Sequence, residues 1–193
     1  TISRRQRQMC IRDRDYKNYE IIAVNDGSYD KTLNILEFYK TKSRLKIVNQ
    51  TNKGLGAARN SGIKVAIGEY ICLLDADDLW VSNKLSILKK IIEEENPELI
   101  SNDEIIFKKE SLFYLRNKPP KSLPNLLIGA NTLSPSAMTI KTNIFKEVGM
   151  FNENKAYLGV EDWDYWIRIM NFGKKITHLP EPLGIYRRDI GNM

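Results

Sequence analysis

The chain has 193 residues, 42% of them apolar and 28% charged, which is enough apolar matter for one real core and excludes a disordered chain. No apolar run approaches the roughly 18 residues that a membrane-spanning helix requires. The formal net charge is +6, but Arg4, Arg5, Arg7, Arg12 and Arg14 against Asp13 place +4 of it in residues 1–14 and leave only +2 for residues 15–193; the basicity is therefore weak ground for a nucleic-acid partner.

Residues 1–14 carry no apolar periodicity and read as a tail or as sequence foreign to the domain that follows. Glu20 to Val24 is a short apolar run rich in β-branched residues. It ends in Asn25-Asp26-Gly27-Ser28, which has turn chemistry, so a buried strand runs into a loop. Leu33, Leu36 and Tyr39, with Ile35 beside them, recur at helical spacing, and Leu45 to Val48 offers a second strand. Gly56 to Ala66 reads as a helix with Ala57, Ala58, Ile63 and Ala66 near one face, and Tyr70 to Leu74 as a third strand. Strands that are apolar throughout, alternating with helices, predict an α/β fold whose mostly parallel sheet is flanked by helices on both faces. Ser82 to Asn96 continues as a helix with Leu85, Leu88, Ile91 and Ile92 inward, stopped at Asn96-Pro97, and a strand follows at Glu98 to Ser101. Residues 102–135, broken by Pro119-Pro120, Pro124 and Pro135, predict a loop-rich excursion. Ala137 to Ile140 reads as a strand and Thr142 to Val148 as a short helix. Glu161 to Asn171 reads as a helix with an apolar stripe of Trp163, Trp166, Ile167 and Met170, and Gly173 lies just past its end.

Two acidic turns follow strands of this sheet, Asn25-Asp26-Gly27 and Asp75-Ala76-Asp77-Asp78. In open α/β sheets ligands bind beyond the carboxyl ends of the strands, so both turns are expected on one crevice. Three aspartates within four residues repel one another and invite either solvent or a cation, and hard oxygen ligands suit Mg²⁺ or Mn²⁺. Alternatively, Asp78 caps the next helix and the other two are solvated. The stretch Asn52 to Gly62 starts a helix with small residues and sets Lys53 and Arg59 near its beginning. With Arg59 in the third position it is not a dinucleotide fingerprint, and no Gly-Lys-Ser/Thr makes it a P-loop. What remains is a helix N-terminus suited to an anion, or tight packing by small residues, which leaves Arg59 unexplained. Glu161, Asp162 and Asp164 stand at the start of a helix, where the macrodipole alone favours negative charge, while an acid beside Trp163 has surroundings that would tune a general base. His178 has no recognisable nucleophile to serve and reads as structural. Cys10 and Cys72, without a CxxC or a neighbouring His, read as reduced thiols of a cytosolic protein.

In the order Tyr16 to Ser28, Asn52 to Gly62, Gly68 to Asp78 and Glu161 to Asp164, these runs make the chain resemble the family 2 glycosyltransferases of GT-A fold, over nearly everything from Tyr16 to Arg188. The resemblance implies inverting transfer of a sugar from a nucleotide-diphosphate donor, a UDP-sugar being expected, to a glycan or lipid-linked acceptor hydroxyl in surface polysaccharide or lipid-linked glycan synthesis. Mn²⁺ or Mg²⁺ is the implied cofactor. Carried over by position, Asp26 contacts the nucleotide base, Arg59 lies on the nucleotide side and Asp75 lies near ribose and sugar. Asp77 holds the metal and Asp162 is the base that deprotonates the acceptor, with Glu161, Trp163 and Asp164 as acceptor-binding or supporting residues. The family's leading strand and helix are not found in residues 1–14, so the expectation is of a GT-A domain over residues 15–193 lacking both, with a silent nucleotide-binding fragment as the alternative reading. Asp189 stands where the family often has a His. A cytoplasmic location follows as an expectation, with peripheral contact at the inner face of the membrane and oligomeric state left open.

Overall fold

The structure is a computed structural model that describes residues 16–187 apart from 42, 109 and 110. The expected tail of residues 1–14, Cys10 and Asp189 therefore lie outside the described residues. In chain order the elements are β1 (Ile21–Asp26), α1 (Thr32–Lys40), β2 (Leu45–Gln50), α2 (Leu55–Val65), β3 (Tyr70–Cys72), β4 (Leu79–Trp80) and α3 (Lys84–Glu95). They continue with β5 (Leu99–Lys108), β6 (Ser111–Leu115), α4 (Leu123–Ile128), β7 (Met138–Lys141), α5 (Ile144–Glu147), α6 (Glu161–Asn171) and β8 (Ile176–Arg187). Two units emerge: residues 18–71 with 142–172, and the rest of the described chain.

In the first unit β1 and β2 pair in parallel, from Ile21 opposite Leu45 to Asp26 opposite Gln50, as βαβ alternation requires. Helix α2 packs on β1 through its small residues. A Cβ at Gly62 would stand 3.2 Å from Val24 Cγ2, and one at Gly56 would fall 2.2 Å from the carbonyl oxygen of Asn152, so only glycine admits the second approach. The core beneath α6 is aromatic: Tyr165 stacks on Phe145 at 5.6 Å, lies 4.4 Å from Phe151 and meets Trp166 edge-on. Helix α6 has the expected bounds, but its buried face is Glu161, Tyr165, Trp166 and Ile169. The expected stripe is rotated because Tyr165, amphipathic and easily left out of a core, lays its ring between two phenylalanines, while Trp163, Ile167 and Met170 are half-buried.

In the second unit the strand order is β7, β5, β8, β4, with β6 on the far part of β5. Strand β5 runs parallel to β8 but antiparallel to β6 and β7, and β4 is antiparallel to β8. The α/β expectation holds, with parallel pairing at β1/β2 and β5/β8 and antiparallel pairing at β4/β8, β5/β6 and β5/β7. The antiparallel pair at β5/β6 follows from a connection too short for a crossover. Strand β5 is ten residues long and not four, because its middle, Ser101 to Glu104, is fully buried although polar. Strand β8 was not legible: Pro180 and Pro182 argue against a strand, and the register with β5 shifts at Asn102 to Glu104 to accommodate them. The excursion of residues 102–135 contains β6 and the short α4. Helix α3 buries Leu88 against Ile100, Leu179 and Leu183, with Leu85, Ile91 and Ile92 packed around them as its apolar spacing predicts.

Candidate active site

The first unit carries Asp26, Arg59 and the acids of α6. Strand β1 delivers Asp26 to its carboxyl end, and Gly27 turns the chain away at φ 78, where a Cβ would lie 2.6 Å from the backbone nitrogen of Asn52. Asp26 Oδ1 accepts from Gln50 Nε2 (2.7 Å) and the Lys53 N–H (2.9 Å), and Oδ2 accepts from the Gly54 N–H (2.9 Å). Desolvation opposes its ionisation, but these three hydrogen bonds outweigh it and hold the carboxyl below the ordinary carboxylate range. Asp26 thus organises the turn that opens α2, binding the amides of the N-cap residue Gly54 and of Lys53 just before it.

Arg59 is not a loose cation at the start of α2. Its Nη1 lies 2.6 Å from Glu161 Oε1, the two side chains being 10% and 4% exposed, and its guanidinium sits 5.6 Å from the centre of the Phe151 ring. An ion pair so little hydrated, 102 residues apart in sequence, could not be read from spacing. Helix α6 begins after Val160, which gives no side-chain cap, and its three acids fill the first turn, where the helix dipole favours them. Their environments differ. Glu161 is buried, takes Arg59 on one oxygen and the Gly159 N–H (2.8 Å) on the other. Asp164 pairs with Arg168 at 2.9 Å, whose guanidinium also donates to the carbonyls of Val148 and Met150. Asp162 is half-exposed and accepts from the Trp163 N–H at 2.7 Å. Asn60, which the sequence reading passed over, is buried in α2; it donates to the carbonyl of Phe151 and accepts from its N–H, both at 2.9 Å. A polar residue at a small-residue helix face was its only signal.

The second unit carries the acidic run. Asp75 is half-buried, Asp77 exposed and Asp78 buried. Asp78 does not cap α3, which starts after Asn83 without a side-chain cap. It accepts instead from Ser136 Oγ (2.6 Å) and from the Arg187 N–H (3.1 Å), and burial pushes its carboxyl up to about 6 against those two bonds, with Glu104 and Asp77 adding like charge. Lys84, fully buried, donates to the carbonyl of Ser136 at 2.9 Å and stands 4.4 Å from the centre of the Trp80 ring. Glu104, fully buried, accepts from Asn117 Nδ2 at 3.0 Å through one oxygen, and the other has no hydrogen-bond partner. His178 lies 3.2 Å from Ser101 Oγ through Nδ1 and 3.5 Å from Asp103 Oδ1 through Nε2.

Among the described residues no group of three or more His, Cys, Asp or Glu is disposed to hold a metal. The residues present are compatible with Mg²⁺ or Mn²⁺: Asp77 offers an exposed hard-oxygen donor, and such ions keep waters and take one or two carboxylates together with substrate phosphates instead of an all-protein cage. No helix among the described residues is long and apolar enough to cross a membrane.

A family model described as glycosyl transferase family 2 matches residues 5–149. The chain belongs to that family. It is 32% identical over 160 residues to UDP-Glc:alpha-D-GlcNAc-diphosphoundecaprenol beta-1,3-glucosyltransferase WfaP of Escherichia coli, covering 83% of this chain and 62% of that protein. It is 29% identical over 192 residues to the amylovoran biosynthesis glycosyltransferase AmsB of Erwinia amylovora, covering 92% of this chain and 62% of that one. Its fold matches that of S. aureus TarS 1-349 in complex with UDP-GlcNAc, with a TM-score of 0.76, 23% identity and coverage of 93% of this chain and 53% of that chain. The fold is thus of the GT-A type. The chain spans less than two thirds of the length of each of these relatives.

Proposed function

We propose that this family 2 glycosyltransferase moves a sugar from a UDP-sugar to an acceptor hydroxyl, with inversion at the anomeric carbon, in the assembly of surface polysaccharide or lipid-linked glycan. One observation carries the reading. Of two adjacent acids at the start of α6, Glu161 is buried and neutralised by Arg59, whereas Asp162 stays half-exposed. The burial and pairing give Glu161 a positioning task, and Asp162 is left as the carboxylate that takes the acceptor proton while its oxygen attacks. A direct displacement of this kind inverts configuration and needs no covalent enzyme intermediate. Asp26 and the amides it orders take the nucleotide base side, Asp75 the ribose and sugar, and Asp77 the divalent ion. Mn²⁺ or Mg²⁺, when bound, neutralises charge growing on the departing nucleotide diphosphate. Arg59 acts through Glu161, and Trp163 and Asp164 support the acceptor side. The donor and pathway are suggested by the names of WfaP, which uses UDP-Glc on a diphosphoundecaprenol-linked sugar, and AmsB, which serves amylovoran biosynthesis, and by the UDP-GlcNAc complex of TarS.

The test is calorimetric titration with UDP, GDP and dTDP, each with and without Mn²⁺, on the wild type and on Asp77→Asn. The expected result is Mn²⁺-dependent binding of UDP alone, lost in the variant. Binding of none of the three by folded protein would overturn the donor assignment, and undiminished binding in Asp77→Asn would overturn the metal assignment.

A further inference from the structure

Both ends of the acidic run in the second unit are fastened to one residue that no site assignment above includes. Ser136 lies in the 3-10 turn Pro135–Ala137 and is fully buried. Its Oγ accepts from the Asp75 N–H at 3.0 Å and donates to Asp78 Oδ2 at 2.6 Å, so a single hydroxyl uses its acceptor and its donor on the first and last aspartates of the run. Its carbonyl is the partner of two further groups, Trp80 Nε1 and Lys84 Nζ, each at 2.9 Å. The Asp78 N–H closes the turn onto the carbonyl of Asp75 at 3.1 Å. The turn that holds Ser136 is itself fastened, since the preceding residue, Ser134, donates its N–H to Asn117 Oδ1 at 3.2 Å.

We infer that Ser136 is the positioning residue of the Asp75-Ala76-Asp77-Asp78 turn, fixing the backbone on either side of Asp77 so that its exposed carboxylate is presented in one orientation to a divalent ion. The inference rests on the reading of Asp77 as the metal-holding residue. Its physical basis is the low dielectric around the node. Ser136 is fully buried, so removing Oγ takes from the Asp75 amide its bond to Ser136 and from the Asp78 carboxylate one of its two donors, where bulk solvent does not reach. Outer partners that orient a metal ligand are worth roughly 10- to 100-fold in metal affinity. Ser136 does not touch substrate or ion and is not a catalytic residue.

The experiment compares wild type, Ser136→Ala, Ser136→Thr and Asp77→Asn, all shown to be folded by circular dichroism. Two readouts are taken: the Mn²⁺ concentration that half-saturates UDP binding by calorimetry, and amide hydrogen exchange at Asp75, Ile100 and Ile140. In Ser136→Ala the half-saturating Mn²⁺ concentration is expected to rise about 10- to 100-fold, with protection lost at Asp75 but kept at Ile100 and Ile140. Ser136→Thr, which keeps the hydroxyl, restores most of both. Should Ser136→Ala not fold, Asp78→Asn approaches the node from its other side and is expected to raise the Mn²⁺ requirement in the same direction. An unchanged Mn²⁺ requirement in folded Ser136→Ala, with or without loss of Asp75 protection, overturns the inference, as does a threonine variant no better than the alanine. Mn²⁺-dependent UDP binding that survives in Asp77→Asn overturns instead the reading of Asp77 on which the inference stands.

Discussion

The two acidic turns of this chain are held in opposite ways. In the first unit a carboxylate is the anchor: Asp26 gathers the Gln50 side chain and the amides of Lys53 and Gly54, and so shapes the turn that opens α2. In the second unit a neutral hydroxyl, that of Ser136, does the holding, and the groups it anchors are the Asp75 N–H and the Asp78 carboxylate. The first arrangement consumes both oxygens of its aspartate in structure. The second uses Asp78 for structure and leaves Asp77 exposed. Asp-x-Asp-Asp is therefore a division of labour, in which the last acid is buried in the fold and the middle one faces solvent, where a ligand can reach it.

The contrast between Asp162 and its neighbour gives the largest expected effect. Replacing Asp162 with Asn removes the carboxylate proposed as the base but leaves Arg59, Glu161 and the helix start in place. Turnover is expected to fall by about 10²- to 10⁴-fold while Mn²⁺-dependent UDP binding by calorimetry stays within twofold. Equal loss of both would show that Asp162 binds donor and would exchange its role with that of its neighbour.

Glu161→Gln tests the other half of the same pair. It keeps the shape but removes the carboxylate charge that faces the Arg59 guanidinium in a site that is almost dehydrated, and breaking a buried pair from one side costs about 3–5 kcal/mol. Urea unfolding is expected to show most of that loss. Arg59→Met with Glu161→Gln together should recover part of it, since a matched apolar and neutral replacement leaves no charge buried alone. If the double variant is no better than Glu161→Gln alone, the pair is not the source of the loss.

These comparisons also show how much could be read in advance. The βαβαβ order, the bounds of α6 and the inward face of α3 follow from local spacing, because each is set by residues within a turn or two of one another. The motif positions were equally legible, since they lie in runs of consecutive residues. What was not legible is what holds them. Arg59 and Glu161 are 102 residues apart, and Ser136 lies 58 and 61 residues from Asp78 and Asp75. No periodicity marks such partners. Strand β5 was cut short for the same reason: within its buried polar middle, Asn117 reaches from outside the strand to the Asp103 and Glu104 carboxylates and the carbonyl of Asn102, and His178 meets the Ser101 hydroxyl. A buried polar strand looks like a loop until its partner is known.

The smallest expected effect belongs to the carboxylate that acts as an anchor. Asp26→Asn keeps one acceptor oxygen but turns the other into a donor facing the Gly54 or Lys53 amide, and loss of a charge-assisted bond of this kind costs about 2 kcal/mol. The folded carboxyl is held below its ordinary value of 3.8, so the native state favours the ionised form more than the unfolded chain does. The stabilisation is therefore complete above the unfolded value and disappears as pH falls through the lower, folded one. Chemical denaturation at pH 7 and pH 3 should show the wild type more stable than Asp26→Asn at neutrality and the gap narrowed in acid. A gap that is constant with pH would mean that the shape of the side chain, and not its charge, holds the turn, which would make this anchor the same kind of neutral device as Ser136.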